Sequence, residues 1–247
     1  LLGLYGYCIQ IYCDFSGYSD MAIGIALLLG FKIPMNFNAP LTADSMTDFW
    51  RRWHISLSTW IRDYVYISLG GNKKGTLRMY FNQMVAMTAC GLWHGASLNF
   101  VVWGVLHGAL VCVHKFWSQT VLRHDRRYHP SGIRRFLSVF ITFHVLCFTW
   151  LFFRCKDFDS VWIMVKQLFT KFNPSVLPDV FMGYKYVFML MIFALLTHWI
   201  PDSWQNRCVR VLEKGGVVLS AIVITIVIFI IMQVKSSEIQ PFIYFQF

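Results

Sequence analysis

The sequence predicts an all-α fold: a polytopic transmembrane helical bundle with an amphipathic or re-entrant helix and a broken helix. Apolar residues make up 57% of the chain and Asp, Glu, Lys and Arg only 14%, whereas a soluble domain carries about a quarter charged residues. Phe, Trp and Tyr reach 18%, a load suited to the headgroup level of a bilayer, where amphipathic rings collect. Several apolar runs also approach the ~20 residues that carry a helix across the hydrocarbon.

The elements follow in order. Residues 1–12 and 18–31 are apolar, separated by Cys13-Asp14-Phe15-Ser16-Gly17. An aspartate at mid-membrane costs roughly 2.5–3.5 kcal/mol on insertion scales, and Asp14 and Asp20 flank a glycine. This predicts a broken helix facing protein or a water-filled cavity, since irregular backbone cannot face lipid. A helix ending at the interface, with Asp20 in solvent, is the open alternative. Residues 32–45 contain Pro34, Asn36, Asn38 and Pro40 and cannot span. Residues 48–66 predict one amphipathic helix starting at Thr47 or Asp48: at 100° per residue Trp50, Trp53, Leu57, Trp60, Ile61 and Tyr64 share a face, with Arg51, Arg52, Thr59, Arg62 and Asp63 opposite. Such a helix lies in the headgroup plane or re-enters the protein.

Spans are then expected at 76–94, 98–117, 136–153, 186–200 and 217–234, the fourth being the weakest, with a partly amphipathic stretch at 161–172. The connecting loops alternate in charge. Lys73, Lys74, Arg78, Arg123, Arg126, Arg127, Arg134, Arg135, Arg207, Arg210 and Lys214 fall on one side, eleven against six on the other. The first side is therefore expected to be cytoplasmic. Net charge is +10, but it is scattered between apolar segments rather than gathered in a stripe, so no nucleic-acid partner is expected. The lipid bilayer is the expected surrounding. No internal repeat stands out, and 1–247 is read as a single transmembrane domain. Because Leu1 opens inside a hydrophobic segment, the sequence reads as the C-terminal part of a longer chain.

Seven cysteines show no CxxC pair and no metal spacing, and most sit in apolar runs where Cys behaves as a small hydrophobe. Neither a disulfide framework nor a metal is expected. Eight histidines are present, and an intramembrane histidine is a functional hypothesis by default. His94 stands between Gly91 and Gly95 with Gln83, Met87 and Cys90 on its helical face; a helix-end histidine satisfied by a carbonyl and a catalytic one both fit. His54 lies at the border of the aromatic and basic faces of 48–66. His107 and His114 share a face but lack the acidic partner of an HExxH site, so polar helix contacts account for them better than a metal. Gly70-Gly71-Asn72-Lys73-Lys74-Gly75 reads as a turn, or more sharply as a site for the phosphates of an acyl carrier.

Three runs then carry a resemblance: Gln10-Ile11-Tyr12-Cys13-Asp14-Phe15-Ser16-Gly17-Tyr18-Ser19-Asp20, Asp48-Phe49-Trp50-Arg51-Arg52-Trp53-His54-Ile55-Ser56-Leu57-Ser58 and Gly91-Leu92-Trp93-His94-Gly95-Ala96-Ser97. Together they resemble the membrane-bound O-acyltransferases (MBOAT), in the bacterial branch that O-acetylates alginate and other exported polysaccharides. Residues 62–72 and the tail 241–247 are similar to that branch too. The resemblance covers residues 5–117 well and the rest mainly as alternating spans and loops; the family's chains are considerably longer.

The resemblance implies a multi-pass protein of the bacterial inner membrane that moves an acyl group, acetyl in this branch, from a cytoplasmic thioester donor such as acetyl-CoA to hydroxyls of an exported polysaccharide, with no bound cofactor. It maps the catalytic histidine onto His94 and a second functional histidine onto His54. A neutral imidazole can take the proton of an acceptor hydroxyl. Asn99, Trp93 and Ser97 are candidate donors to the oxyanion, Ser58 a candidate to hold His54, and Asp14 and Asp20 candidates to position the break or bind sugar hydroxyls. Two other readings stay open. One is a transmembrane acyl conduit handing acetyl groups to a separate extracytoplasmic acetyltransferase partner. The other is a transporter using the break at 14–17 as a solute site.

Overall fold

The computed structural model describes residues 1–125, 128–171 and 173–234, and is helical without strands among them. Arg126, Arg127, Lys235 and the tail 241–247 lie outside the described residues. The chain divides into two compact units, Leu1–His198 and a second from Trp199 onward.

In the first unit, α1 (Leu2–Leu28) is one continuous helix. The break expected at Asp14–Gly17 is absent. A glycine inside a helix costs only about 1 kcal/mol relative to alanine, and Asp14 is half-buried rather than facing open lipid, so neither residue compels a break. The observation that favoured a transporter site there goes with it. The 32–45 segment is irregular, with a short 3₁₀ turn at Pro40–Thr42. Next, α2 (Met46–Arg52) starts where the Ser45 hydroxyl accepts from the Asp48 N–H at 3.2 Å, satisfying a donor that the helix itself leaves open.

The single helix expected over 48–66 is two helices. Trp53 is extended and His54 adopts a left-handed conformation (φ 43°, ψ 57°) before α3 (Ile55–Ile61), which runs on through a π-helical turn to Tyr66. Tertiary backbone bonds select the break over local helix propensity: Asn38 N donates to Arg52 O at 2.9 Å and Ile55 N to Asn36 O at 3.0 Å. The aromatic stripe divides accordingly. Trp53, Leu57 and Ile61 are buried, while Trp60 and Tyr64, stacked on each other at 5.3 Å, are exposed.

The next two helices, α4 (Thr76–His94) and α5 (Leu98–Lys115), form the closest pair. A Cβ on Gly91 would collide with the Phe100 carbonyl oxygen, and one on Gly104 with that of Met87, so small residues let the two backbones touch. The link between them is short because Gly95 takes φ 153°, ψ 160°, a region essentially restricted to glycine. Beyond them come α6 (Gly132–Thr149), α7 (Leu151–Arg154), the amphipathic α8 (Phe158–Thr170), α9 (Leu177–Gly183) and α10 (Lys185–Thr197).

Among the described residues, three stretches are long and apolar enough to cross a membrane: Leu98–Val121, Gly132–Arg154 and, in the second unit, Ser203–Gln233. The weak span expected at 186–200 belongs to a pair, Pro174–Gly183 and Lys185–Thr197, bent by 88°. By composition α4 is not such a helix; Arg78, Asn82, Gln83 and His94 lower its hydropathy. In the second unit, α11 (Asp202–Val234) kinks at Gly216, whose φ is 60°.

Part of the aromatic load turns out to be core rather than interfacial belt. Phe49 stacks on Trp53 at 5.5 Å, Trp53 meets Trp150 at 5.2 Å, and Phe153 lies 4.7 Å from Trp103 and 5.0 Å from Trp150. Such pairs contribute about 0.5–1.5 kcal/mol each beyond the area they bury. They give a stiff floor to the residues described next.

Candidate functional site

His54 owes its orientation to the break between α2 and α3. A non-glycine residue in the left-handed region costs roughly 1–2 kcal/mol, and such strain persists only where the surroundings over-determine it. Here Asn36 supplies the constraint. Its amide oxygen accepts from Ser56 N (3.2 Å), Ser56 Oγ (3.0 Å) and His54 Nδ1 (3.2 Å), while its Nδ2 donates to Ser19 Oγ on α1 (3.4 Å). Because the Ser56 backbone N–H can only donate, the amide end facing it is the oxygen. That oxygen can only accept, so His54 carries its proton on Nδ1 and Nε2 keeps the lone pair.

Ser58, the residue expected to hold His54, instead donates its hydroxyl to the Trp53 carbonyl at 3.1 Å; on the first turn of α3 it faces back along its own helix. Asn36 and Ser56 hold the ring instead. The only signal was a polar residue in a proline-flanked loop.

His94 closes α4, and Gly95 turns the chain behind it. Its ring meets Phe153 at 4.9 Å, Trp103 at 5.4 Å and Trp93 at 4.9 Å, each nearly perpendicular. Trp93 also stands edge-on to His54 at 5.8 Å, and Phe15 of α1 closes the other side of His54 at 4.7 Å. The two motif histidines therefore flank one indole that is 52% exposed, and they are near enough to interact electrostatically.

The remaining expected residues separate. Asp14 is half-buried and Asp20 exposed on α1, and the α1 side chain that reaches His54 is Phe15. Asn99 is buried with its Nδ2 donating to the Cys155 carbonyl at 2.9 Å, and Ser97 Oγ caps α5 by accepting from Asn99 N at 3.3 Å. Both therefore secure the start of α5. A donor the sequence did not reveal is Trp103: its indole N–H is buried beside His94 without a hydrogen-bond partner among the described residues, a costly arrangement unless a ligand group completes it.

The other histidines near the spans are accounted for by packing. His107 is fully buried; the Trp50 indole donates to its Nδ1 at 3.2 Å, so its Nε2–H donates to Thr149 Oγ1 at 3.0 Å, which donates on to Leu146 O. His144 donates from Nδ1 to Phe140 O and accepts from Tyr5 OH at 2.8 Å, tying α6 to α1. His114 bonds Thr47 Oγ1 at 2.9 Å. The glycine-rich 70–75 stretch is a turn pinned by Asn82, whose Nδ2 donates to Leu69 O and Gly71 O.

A cavity of about 420 Å³ lies between the 47–66 segment, α4 and α5. Arg51, Arg62 and Lys115 line it together with Gln83, Met87 and Cys90. Lys115 stands at the end of α5, whereas Cys90 stands one turn before His94 on the same face of α4. The lining thus runs from cations toward the histidines.

His54 lies outside the spanning helices, and burial pulls its imidazole down to about 4 from 6.5. The unfolded chain takes up a proton near pH 6.5 while the folded protein resists until about 4. This contribution to stability is therefore present above pH 6.5 and is lost as pH falls through that window, on the order of 3 kcal/mol in all. Melting temperatures in detergent between pH 7.5 and 5 are expected to fall less steeply for His54→Gln than for wild type. Parallel slopes would show that His54 titrates freely.

Residues 2–153 match the MBOAT, membrane-bound O-acyltransferase, family. The chain is 46% identical over 169 residues to the probable alginate O-acetylase AlgI of Azotobacter vinelandii, covering 68% of this chain and 32% of that protein. It is 33% identical over its whole length to the protein of the same name from Pseudomonas putida, covering 53% of that protein. With the peptidoglycan O-acetyltransferase of Helicobacter pylori it shares 43% identity over 66% of this chain and 30% of that protein. The chain thus matches between 30% and 53% of the length of these relatives.

Proposed function

The chain belongs to the membrane-bound O-acyltransferase family and is a multi-pass membrane protein, and from that premise we propose that it transfers an acetyl group from a cytoplasmic thioester such as acetyl-CoA to a hydroxyl of an exported polysaccharide, in the bacterial inner membrane. The observation that supports this best is the convergence of His54 and His94, from two separate motifs, on either side of Trp93.

In this reading the cations Arg51, Arg62 and Lys115 attract the phosphates of the donor, and the thioester extends along Met87 and Cys90 toward His94. His94 removes the proton of the acceptor hydroxyl as its oxygen attacks the thioester carbonyl. The Trp103 N–H is the donor available to the oxyanion that forms. Collapse breaks the carbon–sulfur bond, and the thiolate leaves with the proton held by His94, giving an ester and a free thiol. The Nε2 lone pair of His54 accepts a hydrogen bond from the acceptor and aligns it.

The test is reconstitution of the full-length protein in vesicles with acetyl-labelled acetyl-CoA on the basic-loop side and alginate or peptidoglycan fragments on the other. Labelled polymer, with thiol release that depends on polymer, is the expected result. Thiol release without polymer esterification, restored by adding a second transferase, would replace direct transfer by an acyl conduit.

A further inference from the structure

A second polar cluster lies apart from the two histidines flanking Trp93. Asp44, Asp48 and His129 bring one ligand atom each to within 4.8 Å of one another. His129 Nδ1 is 2.6 Å from Asp44 Oδ2, and both carboxylate side chains are more than nine-tenths buried. The segment leading into α2 supplies the two aspartates. His129 arrives from the 122–131 loop, 85 residues further along the chain from Asp44.

Two buried carboxylates this close repel each other strongly in a medium of reduced dielectric. Arg52 covers one of them, binding Asp48 Oδ2 at 2.8 Å. The imidazole nitrogen of His129 is a metal ligand when it carries no proton. Two carboxylate oxygens and one imidazole nitrogen form a mixed donor set suited to zinc, with open positions for water. Magnesium and calcium, which take oxygen ligands, are disfavoured by the imidazole.

We propose that Asp44, Asp48 and His129 form a zinc site that fastens the chain at His129 to the segment entering α2. Thr47 and Arg51, in the same stretch of chain, line the cavity, so the bound ion also fixes one wall of that cavity. No spacing motif announces the site, because the third ligand lies so far away in sequence.

The experiment is zinc titration of the full-length protein, purified in detergent and stripped with a chelator, read by metal content after desalting and by melting temperature. Wild type is expected to retain about one zinc ion per chain and to melt higher with zinc than with magnesium. His129→Ala and Asp44→Asn are each expected to weaken zinc binding by about 100-fold, since loss of even outer-shell partners costs 10–100-fold. His124→Ala, in the same loop but outside the cluster, should bind as wild type does. Should Asp44→Asn fail to fold, His129→Ala decides alone, because His129 is an exposed loop residue. Equal zinc binding by wild type and His129→Ala, or no saturable binding in wild type, would overturn the site and leave only an Asp44–His129 ion pair.

Discussion

His94→Gln is expected to lower acetyl transfer by about a thousandfold, within the range that a positioned general base contributes, while the protein stays folded. The glutamine variant is preferred to alanine because the His94 ring fills a cage made by Trp93, Trp103, Phe100 and Phe153. Truncation to alanine would open a cavity there and mix a packing loss with the chemical one. Glutamine keeps most of the volume and can form hydrogen bonds, but it cannot take a proton at neutral pH. The measurement is thiol release from acetyl-CoA in the presence of polysaccharide, with melting temperature followed in parallel. A near-normal melting temperature with lost turnover places the chemistry on the imidazole. Equal turnover in wild type and variant would remove His94 as the base and return the acyl conduit to the front.

The site was legible in the sequence only where its chemistry is local. The Trp93-His94-Gly95 run announces itself, since a histidine ahead of a glycine at the end of an apolar helix is visible in one dimension, and the structure adds that Gly95 needs its positive φ to turn the chain back into α5. His54 was legible as a residue but not as a conformation. Periodicity ran straight through it and gave one helix over 48–66, because a hydrophobic pattern reports faces and is blind to backbone bonds made by a distant loop. The same blindness produced the opposite error in α1, where Asp14 and Gly17 read as a break although a partly buried helix tolerates both. Asn99 and Ser97 looked like donors by composition; only the geometry shows that their groups secure the start of α5, and only burial singles out the Trp103 N–H. Asn36 and the pairing of His129 with Asp44 were unreadable for the plainest reason: their partners are remote in sequence.

That remoteness makes Asn36 the sharper test of how the site is built. Asn36→Leu removes the one acceptor shared by His54 Nδ1, Ser56 N and Ser56 Oγ. The left-handed turn at His54 then loses what over-determines it, and the imidazole loses the contact that fixes its tautomer. Transfer is expected to fall by about 100-fold, the scale on which a small misplacement of a reacting group costs rate. Because Asn36 acts through His54, a drop in rate alone would not distinguish it from a residue needed only for folding. Asn36→Asp makes that distinction. A carboxylate accepts from the same three donors, so it is expected to restore most of the activity, and its charge favours the protonated imidazole and raises the His54 pKa. The acidic limb of the pH–rate profile should therefore move to higher pH in Asn36→Asp than in wild type. Rescue with that shift would identify Asn36 as the residue that positions His54. Rescue without it, or equal loss in both variants, would mean that the 36–38 loop serves only to join α1 to α2.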